Sequence, residues 1–127
     1  MEASIAQLAK KSDRNWILGK KEFEDGKHDF AANRLYYSVF QAIKCYGVER
    51  GRMAMERSVD VHAKAAEIVG EGKCGAFFRK SFVELRSLRE KADYQPEMVE
   101  RVEIEDVLEN AEKIRLFHLE KAGIKSK

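Results

Sequence analysis

The chain is predicted to be all-α: an up-and-down antiparallel helical bundle of four long helices plus a short fifth. Three features carry this expectation. Apolar residues recur at three- and four-residue steps along most of the sequence, β-branched alternation of the kind a strand needs is missing, and proline occurs once, at Pro96.

In the first segment Ile5, Leu8, Ser12, Trp16, Gly19 and Phe23 fall on one helical face, with Lys10, Lys11, Arg14, Lys20 and Lys21 mostly off it. Gly26 then terminates the helix. Asp29 opens the second helix as its N-cap or as an acid in its first turn. Ala32, Leu35, Tyr36, Val39, Ile43 and Tyr46 make its apolar stripe, and Gly47 and Gly51 bracket its end. Residues 51–57 have no period and read as a loop. A short helix follows from about Asp60 to Val69, ended by Gly70-Glu71-Gly72. The fourth runs from about Gly75 to Tyr94, with Phe78, Phe82, Leu85, Leu88 and Ala92 inward. Pro96 closes it, because the residue before a proline avoids helical dihedrals. The last begins at about Ile104 and turns Val107, Leu108, Ala111, Ile114, Phe117 and Ala122 to one side, leaving Lys125-Ser126-Lys127 to fray. Short connections make successive long helices antiparallel.

The 127 residues are expected to form one domain over 1–127, with its core at about 4–122. At this length about two-thirds of the unfolded chain's surface can be buried, which makes disulfides and structural metals unnecessary. Charged residues are 36% of the chain, yet 24 basic and 22 acidic side chains nearly cancel to a formal +2, too small an excess for capture of nucleic acid by bulk charge. Lys10, Lys11, Asp13 and Arg14 interrupt any signal-like apolar run, and no stretch approaches the ~20 apolar residues that a bilayer requires. A cytoplasmic, membrane-free protein is expected. Cys45 and Cys74 lie far apart and read as free thiols, and no spacing of Cys, His28, His62 and His118 suggests a metal site or a cofactor.

Three groups of side chains are candidates for function. Asn33 and Tyr37, with Gln41 and Lys44, project from a second face of the second helix, suited to stacking on a base or hydrogen-bonding a partner, or equally to an interhelix contact. Arg86, Arg89 and Asp93 share a face of the fourth helix at i, i+3 and i+7, where two guanidiniums can clamp a phosphate. The plainer alternative is an Arg89–Asp93 pair at i, i+4. His62 stands early in the short helix, where a histidine is usually packed or capping.

The stretches Phe30-Ala31-Ala32-Asn33-Arg34-Leu35-Tyr36-Tyr37-Ser38-Val39-Phe40 and Leu85-Arg86-Ser87-Leu88-Arg89-Glu90-Lys91-Ala92-Asp93-Tyr94, with His62 between them, resemble the HEPN family, the nucleotide-binding domain of higher eukaryotes and prokaryotes. The resemblance spans about Ile5 to Phe117. It implies a five-helix bundle assembled as a homodimer, in small stand-alone members beside a minimal nucleotidyltransferase as a toxin–antitoxin-like pair. Other members resemble the substrate-binding helical domain of aminoglycoside nucleotidyltransferases. A ribonuclease branch carries an Arg followed four to six residues later by a His. Here the positions after Arg89 hold Asp93, Tyr94 and Gln95, and those after Arg86 hold Lys91, Ala92 and Asp93, so that signature is missing.

The expectation is therefore a binding module in which Asn33, Tyr37, Arg86, Arg89 and Asp93 receive a nucleotide, an RNA segment or a nucleotidyltransferase partner. The alternatives are a metal-independent endoribonuclease using Arg89 with Asp93 or His62, and a purely structural helical dimer. No catalytic residue is assigned outright.

Overall fold

The computed structural model describes residues 2–56, 59–71 and 75–124. Cys74, Gly72, Arg57 and the tail 125–127 lie outside the described residues. Five helices follow in order: α1 Glu2–Glu24, α2 His28–Glu49, α3 Val61–Val69, α4 Gly75–Tyr94 and α5 Arg101–Lys121, with no strand among the described residues.

The long helices alternate in direction. The start of α1 meets the end of α2, where the Cys45 thiol donates to the Ile5 carbonyl, and the end of α1 meets the start of α2, where a Cβ on Gly19 would lie 2.9 Å from Leu35. Asn33 near the start of α2 reaches Asp93 at the end of α4, and Lys91 of α4 pairs with Glu103 near the start of α5. At the opposite end, Phe78 of α4 packs edge-on against Phe117 of α5.

The second helix is the centre of the bundle. Ala31, Ala32, Leu35, Tyr36, Val39, Ala42, Ile43 and Cys45 are wholly buried. Trp16, Phe23, Ile68, Phe82, Leu85, Ile104 and Ile114 surround them from the other four helices. Burying a large apolar side chain contributes about 1.5–3 kcal/mol, so α2 is the element whose disruption would cost the fold most. A buried polar seam joins the two ends of the chain's length to this core. Ser12 donates to the Ser38 carbonyl at 2.7 Å, Ser38 returns a bond to the Ser12 carbonyl at 2.6 Å, and Arg115 of α5 donates to Ser12 and pairs with Asp13. Every polar group sunk there thus has a partner, as burial demands.

The helix boundaries follow the sequence expectation except at the start of α5. Gly26, at φ 78, does end α1 in the left-handed region as expected. Lys27 occupies the N-cap of α2, and Asp29 is the acid in its first turn, one of the two places expected for it. α2 ends at Glu49, in the interval that Gly47 and Gly51 bracket, and Gly47 itself lies inside the helix. It is buried, and a Cβ there would meet Met53 at 2.6 Å, so the small residue serves a close approach instead of a break. α5 starts at Arg101 rather than Ile104, because the Glu100 side chain accepts from the N3 backbone while the Glu103 side chain accepts from the Glu100 N–H, a capping box built from two glutamates. Phe117, expected inward, is 42% exposed, and its neighbours Arg115 and His118 take the buried positions. No helix among the described residues is long and apolar enough to cross a membrane.

Candidate functional site

The helical repeat puts Asn33, Tyr36 and Tyr37 on the side of α2 that faces α3 and α4. On α4 the same repeat aligns Arg86, Arg89 and Asp93 toward α2. The antiparallel packing of the two helices then sets the start of one against the end of the other.

Arg89 is the hub. It is only 7% exposed, and its guanidinium carbon lies 5.2 Å from the Tyr36 ring centroid, 5.7 Å from Tyr37 and 5.7 Å from Tyr94. Electron-rich ring faces attract a cation at these separations, by about 0.5–2 kcal/mol each as solvent is excluded. Its ion pair is loose. Arg89 Nη1 stands 3.7 Å from Asp93 Oδ2, beyond hydrogen-bond range. Both Asp93 carboxylate oxygens instead accept from the Asn33 side-chain amide, at 3.3 and 3.0 Å. Arg89 Nη1 also reaches the Tyr94 hydroxyl at 3.5 Å, a weak contact. The buried Nε of Arg89 has no hydrogen-bond partner, and the same holds for the buried Nε of the half-buried Arg86, one turn earlier. Two arginines therefore share a helix face, Arg89 with a carboxylate at 3.7 Å and both with an enclosed, unbonded Nε. Uncompensated buried charge is costly, so such a place favours an added anion.

Tyr36 ties this cluster to α3. It is wholly buried, and its hydroxyl lies 2.6 Å from His62 Nδ1. Burial holds the Tyr36 hydroxyl well above its ordinary pKa, with Arg86 and Arg89 pulling in the opposite direction without overcoming it. The group thus stays protonated and is a natural donor to the histidine. The His62 ring sits among aromatic neighbours, 4.8 Å from Phe40, 5.6 Å from Tyr36 and 6.2 Å from Tyr37.

The structure therefore brings Asn33, Tyr37, Arg86, Arg89, Asp93 and His62 to one region bounded by α2, α3 and α4. Gln41 leaves that group: it accepts from Asn15 of α1 at 2.9 Å, on another side of α2. Two members were not nominated from sequence. Tyr36 reads as core by its spacing, and it is core, yet its hydroxyl and ring join His62 to Arg89. Tyr94, adjacent to Asp93, closes one side of the guanidinium and is 75% exposed. His118 is remote from the cluster, donating from Nδ1 to the Ile114 carbonyl at 2.7 Å, and burial lowers its pKa. Cys45 is buried and its thiol is pushed up to about 12 by burial, which makes it unreactive. No group of three or more His, Cys, Asp or Glu among the described residues is placed to hold a metal ion.

The cluster has donors and positive charge suited to an anion, an aromatic wall, and one imidazole within hydrogen-bond reach of a tyrosine. Among known proteins, the HEPN domain family matches residues 5–122 of the chain. No curated protein matches it.

Proposed function

Because the chain belongs to the HEPN domain family, we propose that it is a nucleotide- or RNA-associated binding module, a cytoplasmic homodimer that serves as partner subunit of a minimal nucleotidyltransferase in a toxin–antitoxin-like pair. Arg86 and Arg89 meet the phosphate, Tyr37 lines the aromatic wall, and Asp93, tethered by Asn33, keeps Arg89 oriented without discharging it. One observation carries this reading. A guanidinium buried to 7% exposure has its carboxylate held at 3.7 Å by a competing amide and its own Nε unpartnered, beside a second arginine in the same condition. An oxyanion is drawn to the positive face that the two guanidiniums make.

Titration calorimetry with ATP, with a short single-stranded RNA and with the purified nucleotidyltransferase tests it. Binding of at least one phosphate-bearing ligand is expected, weakened at least tenfold by Arg86→Ala, a half-buried position where truncation spares the core. Absence of heat with every ligand, from a correctly folded protein, overturns the reading.

A second reading, metal-independent endoribonuclease, is favoured by the 2.6 Å contact between Tyr36 and His62. It supplies an imidazole to the arginine cluster from α3, although no histidine follows either arginine in sequence. With Nδ1 accepting from Tyr36, the neutral ring carries its proton on Nε2, which suits donation to the leaving 5′-oxygen, and His62 serves as base only when the Tyr36 bond is released. Incubation with structured RNA in EDTA decides between the two: cleavage abolished by His62→Ala and by Arg89→Lys supports catalysis, and intact RNA excludes it.

A further inference from the structure

Beside the arginine cluster lies a shelf of exposed apolar side chains that the fold has no internal use for. Tyr94 is 75% exposed, Met98 69% and Phe30 64%. Two anchors place them along one rim. The Asn33–Asp93 bond joins the end of α4 to the first turns of α2, and Phe30 stands one turn before Asn33 on the same face. The Val99 N–H donates to the Asp29 carboxylate at 2.8 Å, which lays the segment carrying Met98 along the start of α2.

Tyr94 has the decisive geometry. One side of its ring is directed to Arg89, whose guanidinium carbon is 5.7 Å from the ring centroid and whose Nη1 reaches the hydroxyl. Its 75% exposure leaves the remainder of the ring to solvent. A flat aromatic face thus stands next to the Arg89 cation, one turn beyond Arg86 on the same helix face. Charge beside an open ring is the alternation of a nucleic-acid strand, phosphate then base, and every base has a face that stacks on tyrosine.

Resting on the phosphate-binding reading above, we propose that Tyr94, flanked by Phe30 and Met98, is a base-stacking subsite, so that the ligand is a single-stranded segment whose phosphate lies at Arg86 and Arg89 and whose unstacked base lies on Tyr94. A duplex does not fit this description, because its bases are occupied by their own neighbours and expose only edges. A free phosphate fills half of the site.

The test is fluorescence anisotropy with a labelled eight-nucleotide single-stranded RNA, the same sequence as a blunt duplex, and pyrophosphate as competitor. Preferential binding of the single strand is expected. Tyr94→Ala should weaken it about 5- to 150-fold, the range of one lost stacking contact. Tyr94→Phe should retain it, and competition by pyrophosphate should be the same in all three proteins. Unfolding followed by circular dichroism checks that the exposed substitution leaves the fold intact. If Tyr94→Ala leaves RNA affinity unchanged while Arg86→Ala abolishes it, the stacking subsite is overturned and the phosphate site stands. If neither RNA nor pyrophosphate binds, both are overturned. Duplex bound as tightly as single strand overturns the subsite, as does Tyr94→Ala dissociating a dimer in sedimentation, which would make the shelf a seam between copies.

Discussion

Substituting Asp93 by asparagine separates its two roles, because the replacement keeps an oxygen for the Asn33 amide and removes only the charge. Asp93 faces Arg89 at 3.7 Å, with side chains 29% and 8% exposed respectively. The raw attraction of unit charges at about 4 Å is ~4 kcal/mol at an effective dielectric of about 20. Desolvation and ordering cancel most of that, and partly exposed pairs return only ~1 kcal/mol. Asp93→Asn should therefore lower the melting temperature by about 3–5 °C for a chain of this size. Affinity should move the other way. A phosphate at Arg89 would lie roughly 6 Å from the carboxylate, and the repulsion removed there is between ~0.7 kcal/mol in water and ~2.8 kcal/mol near a protein surface. Binding should tighten about 3- to 100-fold. Calorimetric melting and RNA titration at low ionic strength read both effects, and the gain should shrink at ~1 M salt, where the Debye length falls to about 3 Å. Affinity that falls alongside stability would refute the reasoning, since the charge on Asp93 would then help the ligand bind instead of opposing it.

Three further outcomes follow from the packing. Tyr36→Phe removes the hydroxyl that bonds His62 Nδ1 at 2.6 Å; in denaturant unfolding it should cost about 1–3 kcal/mol, the price of a broken buried hydrogen bond, with no change in the slope. His118 has its pKa lowered by burial, so the unfolded chain takes up its proton first and stability should rise with pH below and through about 6.5, the unfolded value. That dependence should vanish in His118→Phe, which places a ring among Tyr46, Phe78 and Phe117; the lowered carboxyls Glu71 and Glu103 add a separate loss below their ordinary value of 4.5. Gly75→Ala should destabilise by about 1–3 kcal/mol in the same unfolding assay, because its new Cβ would lie 2.0 Å from the Gly70 carbonyl oxygen, a backbone atom that cannot swing aside.

Helix number, order and length were legible because hydrophobic spacing is set by the same 3.6-residue repeat that sets burial: Leu35, Val39 and Ile43 are as buried as their spacing implies. What escaped was decided by partners far along the chain. Arg115 had no place assigned from spacing because nothing local reveals that Ser12 and Asp13 await it, and Phe117 is partly exposed where spacing implied burial. The start of α5 was placed late because glutamate is not a usual N-cap, and only the reciprocal bonds of Glu100 and Glu103 expose the box. In the candidate site, the shared face of Arg86, Arg89 and Asp93 was readable from spacing alone. The meeting of His62 with Tyr36 was not, since it depends on how α3 lies across α2 after a loop with no pattern. Tyr94 was visible in sequence as a neighbour of Asp93, but its exposure and its contact with Arg89 required coordinates.

Arg86 and Arg89 presenting their guanidiniums to an anion is the claim on which the rest depends. Arginine Nε–Hε resonances, resolved in a nitrogen–proton correlation spectrum and assigned with Arg86→Lys and Arg89→Lys, report on that directly. Titration with single-stranded RNA or pyrophosphate should shift both signals in parallel with saturation. Saturable binding that leaves the Arg86 and Arg89 signals where they began, while other resonances move, would contradict the account and place the ligand elsewhere on the bundle.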